Sequence, residues 1–93
     1  MVEGQKYRWI KNIHMAVIIK SNGEESDVKI ETLKQMQDWV EGRIHFLYVQ
    51  GGHYLIVNKD GFELGLKHNP RASNIANQLV CGTAILCEKH EIY

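Results

Sequence analysis

Residues 55–87 read LIVNKDGFELGLKHNPRASNIANQLVCGTAILC, and this stretch decides the fold. The apolar run Tyr54 to Val57 leads into Asp60-Gly61, a tight-turn dipeptide, and Phe62 to Leu64 follows as a short strand. Asn69-Pro70 then opens a helix. Asn is a strong N-cap, and proline at the first helical position lacks only an N–H that would have no intrahelical partner. Ala72, Ile75, Ala76 and Leu79 recur at helical spacing as a narrow stripe, small enough to lie close on a sheet. Val80 to Cys87 is apolar on both faces, the pattern of a central strand.

The same signals extend toward the N-terminus. Ile44 to Val49 alternates, with Ile44, Phe46 and Tyr48 on one face and His45, Leu47 and Val49 on the other, and Gly51-Gly52 turns it into the Tyr54 strand. Thr32 with Gln35 fits a capping box, Leu33, Met36 and Val40 continue at helical spacing, and Gly42 suits a left-handed helix C-terminus. Trp39 beside Val40 either widens that stripe or faces outward as an interface anchor. Asn22-Gly23 between His14–Lys20 and Ser26–Ile30 predicts a hairpin with a type I′ turn. Residues 1–12 form a loose arm or a short edge strand. The order β-β-α-β-β-β-α-β predicts one α+β domain over residues 1–93: a mostly antiparallel twisted sheet with two helices on one side.

Composition bounds the function. A chain of 93 residues supports one core. Eleven basic residues balance eleven acidic ones, which argues against a general nucleic-acid binder, whose affinity comes from neutralised phosphates. No segment reaches the ~20 apolar residues of a membrane helix, and no early apolar run suggests a leader. Cys81 and Cys87 lie in one predicted strand, where ~3.3 Å per residue separates them by roughly 20 Å, beyond disulfide reach. Two buried thiols suit a reducing, cytoplasmic compartment.

The pattern of a helix ending near Gly42, an apolar strand, NKDG, G-L-x-x-N with a small residue soon after, and G-T-A-I-L resembles a small uncharacterised family of bacteriophages, prophages and plasmids. The matching positions are Asn58, Gly61, Gly65, Leu66, Asn69, Ala72 and Gly82, and the resemblance spans roughly residues 33–87. It implies the setting of mobile-element products acting in the host cytoplasm. It also suggests an analogy with phage proteins that sequester nucleotide immune signals, often as homo-oligomers. For this chain a homo-oligomer, by default a two-fold dimer, is expected because the sheet must have edges and the core is slender.

The start of the second helix is the sharpest candidate site. No acid falls between Glu63 and Glu88, and helix N-termini favour anions. Lys67, His68, Asn69, Arg71 and Ser73 would hold phosphate, with Tyr54 or Trp9 stacking on a base. The plainer reading is a capped helix with a solvated Arg71. Histidines 14, 45, 53, 68 and 90 have no metal-site spacing, though His14, His45 and His53 could meet across strands. No nucleophile motif, carboxylate pair or phosphate-binding glycine loop is present, so neither catalytic residues nor a cofactor are expected. The sequence thus points to a non-enzymatic binder of a small anionic ligand, a nucleotide above all. The alternative is a protein–protein interaction inhibitor or regulator that needs no ligand.

Overall fold

In the computed structural model, which describes residues 14–88, strands β1 (His14–Ile19) and β2 (Glu25–Ile30) form an antiparallel hairpin with Ile19 opposite Glu25. Its turn is not the expected type I′. The Lys20 N–H donates to the Glu24 carbonyl (2.8 Å) and the Gly23 N–H to the Lys20 carbonyl (2.9 Å), enclosing a three-residue loop. Such a loop needs one left-handed residue, and Gly23 takes that role at φ +94°. Asn22 contributes its side chain instead, Oδ1 accepting from the Glu24 N–H at 2.9 Å.

Helix α1 (Leu33–Val40) opens on the expected capping box. Thr32 Oγ1 accepts from the Gln35 N–H (3.1 Å), and Gln35 Oε1 accepts from the Thr32 N–H (3.0 Å). Met36 and Val40 are buried and Trp39 packs half-buried against the same core, so Trp39 widens the apolar stripe, whereas Leu33 is exposed. The left-handed residue at the helix end is Glu41 (φ 68°), not Gly42. Gly42 is glycine for another reason: a Cβ there would stand 2.8 Å from Asn58 Nδ2.

Strands β3 (Ile44–Val49) and β4 (His53–Asn58) form a second hairpin, and β5 (Ala84–Glu88) joins the two hairpins in the order β2-β1-β5-β4-β3, every pairing antiparallel. The last strand is central, as its sequence predicts. Helix α2 (Pro70–Ala76) precedes it. The α+β class and antiparallel sheet agree with the sequence reading. The two helices, however, cover opposite faces. Met36 and Val40 pack on Ala16, Ile18, Ile56, Ile85 and Cys87. Ala72 packs with Leu55, Val57, Val80 and Ala84. The physical reason lies in β4 and β5: Leu55, Ile56, Val57, Ala84 and Ile85 are apolar without alternation, so both faces need cover, and each helix supplies one.

Residues 58–82 hold the remaining corrections. The expected strand Phe62 to Leu64 is a run of turns closed by Leu64 N–H to Asp60 O (2.9 Å) and Leu66 N–H to Gly61 O (3.0 Å), which draw the backbone inward and leave no strand edge. Gly61 is buried against the next segment, where a Cβ would collide with the Cys81 carbonyl. Gly82 has φ +97° and lies under Leu66, so the expected strand from Val80 breaks there and β5 begins at Ala84. Cys87 is buried as expected, but Cys81, outside β5, is only half-buried. Helix α2 stops at Asn77 (φ 57°), before Leu79, which leaves the apolar stripe and is exposed.

Candidate functional site

The start of α2 is held by the fold itself. Asn69 is fully buried, and its side chain meets three partners. Nδ2 donates to the carbonyls of Ile19 and Gly82, both at 2.9 Å, while Oδ1 accepts from the Ala72 N–H at 3.0 Å. Ser73 Oγ accepts from the Val80 N–H (2.9 Å) and donates to the Val80 carbonyl (3.3 Å). Arg71 Nε lies 2.8 Å from Glu25 Oε2 at the tip of the first hairpin. Ser21 Oγ donates to the Lys67 carbonyl at 3.0 Å. The segment 67–71 is therefore a docking strip for the β1–β2 tip. The acid-free run from Glu63 to Glu88 is a property of the chain and not of the space around it, because Glu25 arrives from the other half.

The remaining members of the expected constellation are dispersed. Lys67 and His68 are exposed beside the helix start. Tyr54 packs on the α1 face with Phe46, whereas Ala72 places α2 on the other face, so the sheet separates Tyr54 from the helix start. Trp9 lies outside the described residues. The α2 helix has seven residues, two turns, which limits its dipole. His45 and His53 face one side but sit at opposite ends of their hairpin, opposite Val57 and Val49 respectively. Among the described residues no group of three His, Cys, Asp or Glu side chains is arranged to hold a metal, and no helix is long and apolar enough to cross a membrane.

Two surfaces stand out that the sequence reading did not single out. The first is at the end of the sheet on the α2 face. A shallow pocket of about 260 Å³ is lined by His45, Lys59, Phe62, Glu63, Gln78 and Leu79, among others. Phe62 is 71% and Leu79 57% exposed, and Leu64, in the same turn as Phe62, is 59% exposed. These side chains ride on backbone pinned by Gly61 against Cys81 and Leu66 against Gly82. Their apolar character read as strand and helix stripe because it has the right spacing. The signal against those readings was Gly61 and Gly65 bracketing only three residues.

The second surface is β3 on the α1 face. Phe46, Tyr54 and Tyr48 form a ladder, with ring centroids 5.5 Å apart for the edge-on Phe46–Tyr54 pair and 4.7 Å for Tyr48–Tyr54. The Tyr54 hydroxyl donates to that of Tyr48 across a long 3.5 Å. That contact, helped by partial burial, holds the Tyr54 phenol above its ordinary range. Near the other end of the hairpin Arg43 makes a forked contact with Asp60, 2.9 and 2.7 Å, and holds its carboxyl below the usual carboxylate range.

Among families of known sequence pattern, the one described as Domain of unknown function (DUF3846) matches residues 13–92, which extends the resemblance through β1 and β2. No curated protein and no solved structure matches the chain.

Proposed function

The chain belongs to this family of unassigned activity, DUF3846, and from that premise we propose that the domain works by binding a protein partner through the apolar end of its α2 face. The observation that carries this reading is the pair Phe62 and Leu79, which line one pocket and are each more than half exposed on tightly braced backbone. Large apolar side chains in water are a liability for a lone domain, and on a rigid mount they lose little entropy when covered. His45, Lys59, Glu63 and Gln78 give the patch a polar rim of both charges, the usual anatomy of an interface. In the bacteriophage and plasmid setting that the resemblance implies, the partner is a host protein and the domain inhibits or regulates it without turnover.

The nucleotide-sequestering reading rests on Lys67 and Arg71. It is the weaker of the two because Asn69, Ser73 and Arg71 already have partners within the fold and Tyr54 faces away. Two measurements separate the readings. A double variant, Phe62→Ser with Leu79→Ser, should lose a host protein that the parent captures while keeping its thermal midpoint within a few degrees. Thermal scans against linear and cyclic nucleotides should show no shift. A shift of several degrees that disappears in Arg71→Ala, with the parent's protein capture unaffected by the double variant, would reverse the conclusion.

A further inference from the structure

The two edges of the sheet are built differently. Strand β2 presents Glu25, Asp27 and Lys29, all exposed, the charges by which sheet edges discourage pairing. Strand β3, at the opposite edge, reads Ile-His-Phe-Leu-Tyr-Val and carries no Asp, Glu, Lys or Arg. Its register with β4 runs unbroken through six residue pairs, from Ile44–Asn58 to Val49–His53, without a bulge to twist the edge away. Among the described residues no backbone group on its outer side has a partner. Tyr48, near the end of this edge, is 72% exposed.

We propose that β3 pairs with β3 of a second copy of this chain, antiparallel about a two-fold axis, so that the two sheets become one. The second copy fits because its β3 edge is equally uncharged, whereas the β2 edge would bring Glu25, Asp27 and Lys29 into the joint. Pairing β3 with β3 also closes at two subunits, while β3 against β2 would run on as an open fibre. The antiparallel sense follows from Arg43, which precedes the strand: a parallel pair would set Arg43 beside Arg43, and the antiparallel pair sends the two guanidinium groups to opposite ends. With the axis through Leu47, Phe46 of each copy lies opposite Tyr48 of the other. The ladder Phe46–Tyr54–Tyr48 then continues across the joint. The Phe62–Leu79 patch meets this strand at His45 and Leu47 on the α2 face, whereas the aromatic ladder lies on the α1 face, and self-association is measured separately from partner capture.

The experiment is sedimentation of the full chain across a dilution series, with Tyr48→Lys as the test variant and Asp27→Ala, on the other edge, as the control. At about 100 µM the parent and Asp27→Ala should sediment as dimers, and Tyr48→Lys should weaken the dimer at least about tenfold. Amide exchange in the parent should show protection within residues 44–49 that rises with concentration, a readout that holds even if the variant folds poorly. A parent that stays monomeric, a dimer undiminished by Tyr48→Lys in a folded variant, or exchange in β3 that is independent of concentration overturns the proposal.

Discussion

The two helix starts carry the same kind of sequence signal and do different physical work. Thr32 caps α1 in exposed surroundings, and its capping box ties residues no more than three apart. Asn69 caps α2 while fully buried, and its amide also reaches Ile19, 50 positions away, and Gly82, 13 positions away. Water can replace the first cap. It cannot readily reach the second, where three buried hydrogen bonds depend on one side chain. A cap signal in sequence therefore reports that a helix begins, and burial decides whether the residue is also a junction of the fold.

The largest expected effect follows from that difference. Asn69→Ala removes the cap and two further buried hydrogen bonds, to the Ile19 and Gly82 carbonyls, a loss of roughly 3 kcal/mol or more, a large fraction of the stability of a domain of this size. Urea denaturation of the variant against the parent measures it. A loss no greater than that of an exposed cap would show that Asn69 is only a cap and reopen the α2 start as a ligand site. Gly61→Ala should come next, at about 2 kcal/mol, because the added methyl meets backbone, the Cys81 carbonyl, and not a side chain that can rotate away. A neutral result in the same titration would mean that the segments 58–66 and 80–82 can separate freely, and the bracing of Phe62 and Leu79 would fail with it.

These positions explain how much the sequence made legible. Asn58, Gly61, Gly65, Leu66, Asn69, Ala72 and Gly82 carried the family resemblance, and the structure gives most of them a packing duty. Asn58 Nδ2 donates to the Val40 carbonyl at 2.9 Å at the end of α1. Gly61 and Gly82 allow close approach, Leu66 covers Gly82, Asn69 is the junction, and Ala72 is fully buried. Such residues identify a fold well and a site poorly. Helix starts, the positions of the hairpin turns and the central place of the last strand were readable because they depend on neighbours in the chain, whereas turn types and element ends were not. The helices' placement on opposite faces was also written in the two-sided apolar strands, whose inner and outer faces both need cover. The pairing of Arg71 with Glu25 was not readable, since it is a contact between residues 46 apart that no local spacing encodes. Exposure of Phe62, Leu64 and Leu79 was hidden for the converse reason: their spacing imitated elements that the glycines do not allow.

Thr32→Ala supplies the reference for the comparison and should cost about 1 kcal/mol. Its loss should fall on α1 alone, read as faster amide exchange in residues 33–36 with β1 and β5 unaffected. Asn69→Ala, by contrast, should loosen β1, the segment leading into β5 and α2 together, because its bonds end on Ile19, Gly82 and Ala72. If both variants loosened only their own helix, the distinction between a local cap and a buried junction would collapse.

The smallest effect belongs to the exposed extreme of the same scale. Arg43 grips Asp60 at the surface, with side-chain exposures of 67% and 32%, and the hydrogen bond to Arg43 is the main cause that lowers the Asp60 carboxyl pKa. A group whose pKa is lower folded than unfolded adds stability above its unfolded value. That contribution disappears as the pH falls through the folded one. The difference in thermal midpoint between the parent and Arg43→Gln should therefore be small and constant near neutrality and should vanish on acidification below the ordinary carboxylate range. Solvent screens this pair, so added salt should shrink the difference as well. The same salt should leave the Asn69→Ala deficit nearly untouched, because neutral groups bonded in a dry core give counterions nothing to screen. A salt-sensitive Asn69 deficit would mean that water and ions reach the junction, and the contrast between the two helix starts would be one of degree only.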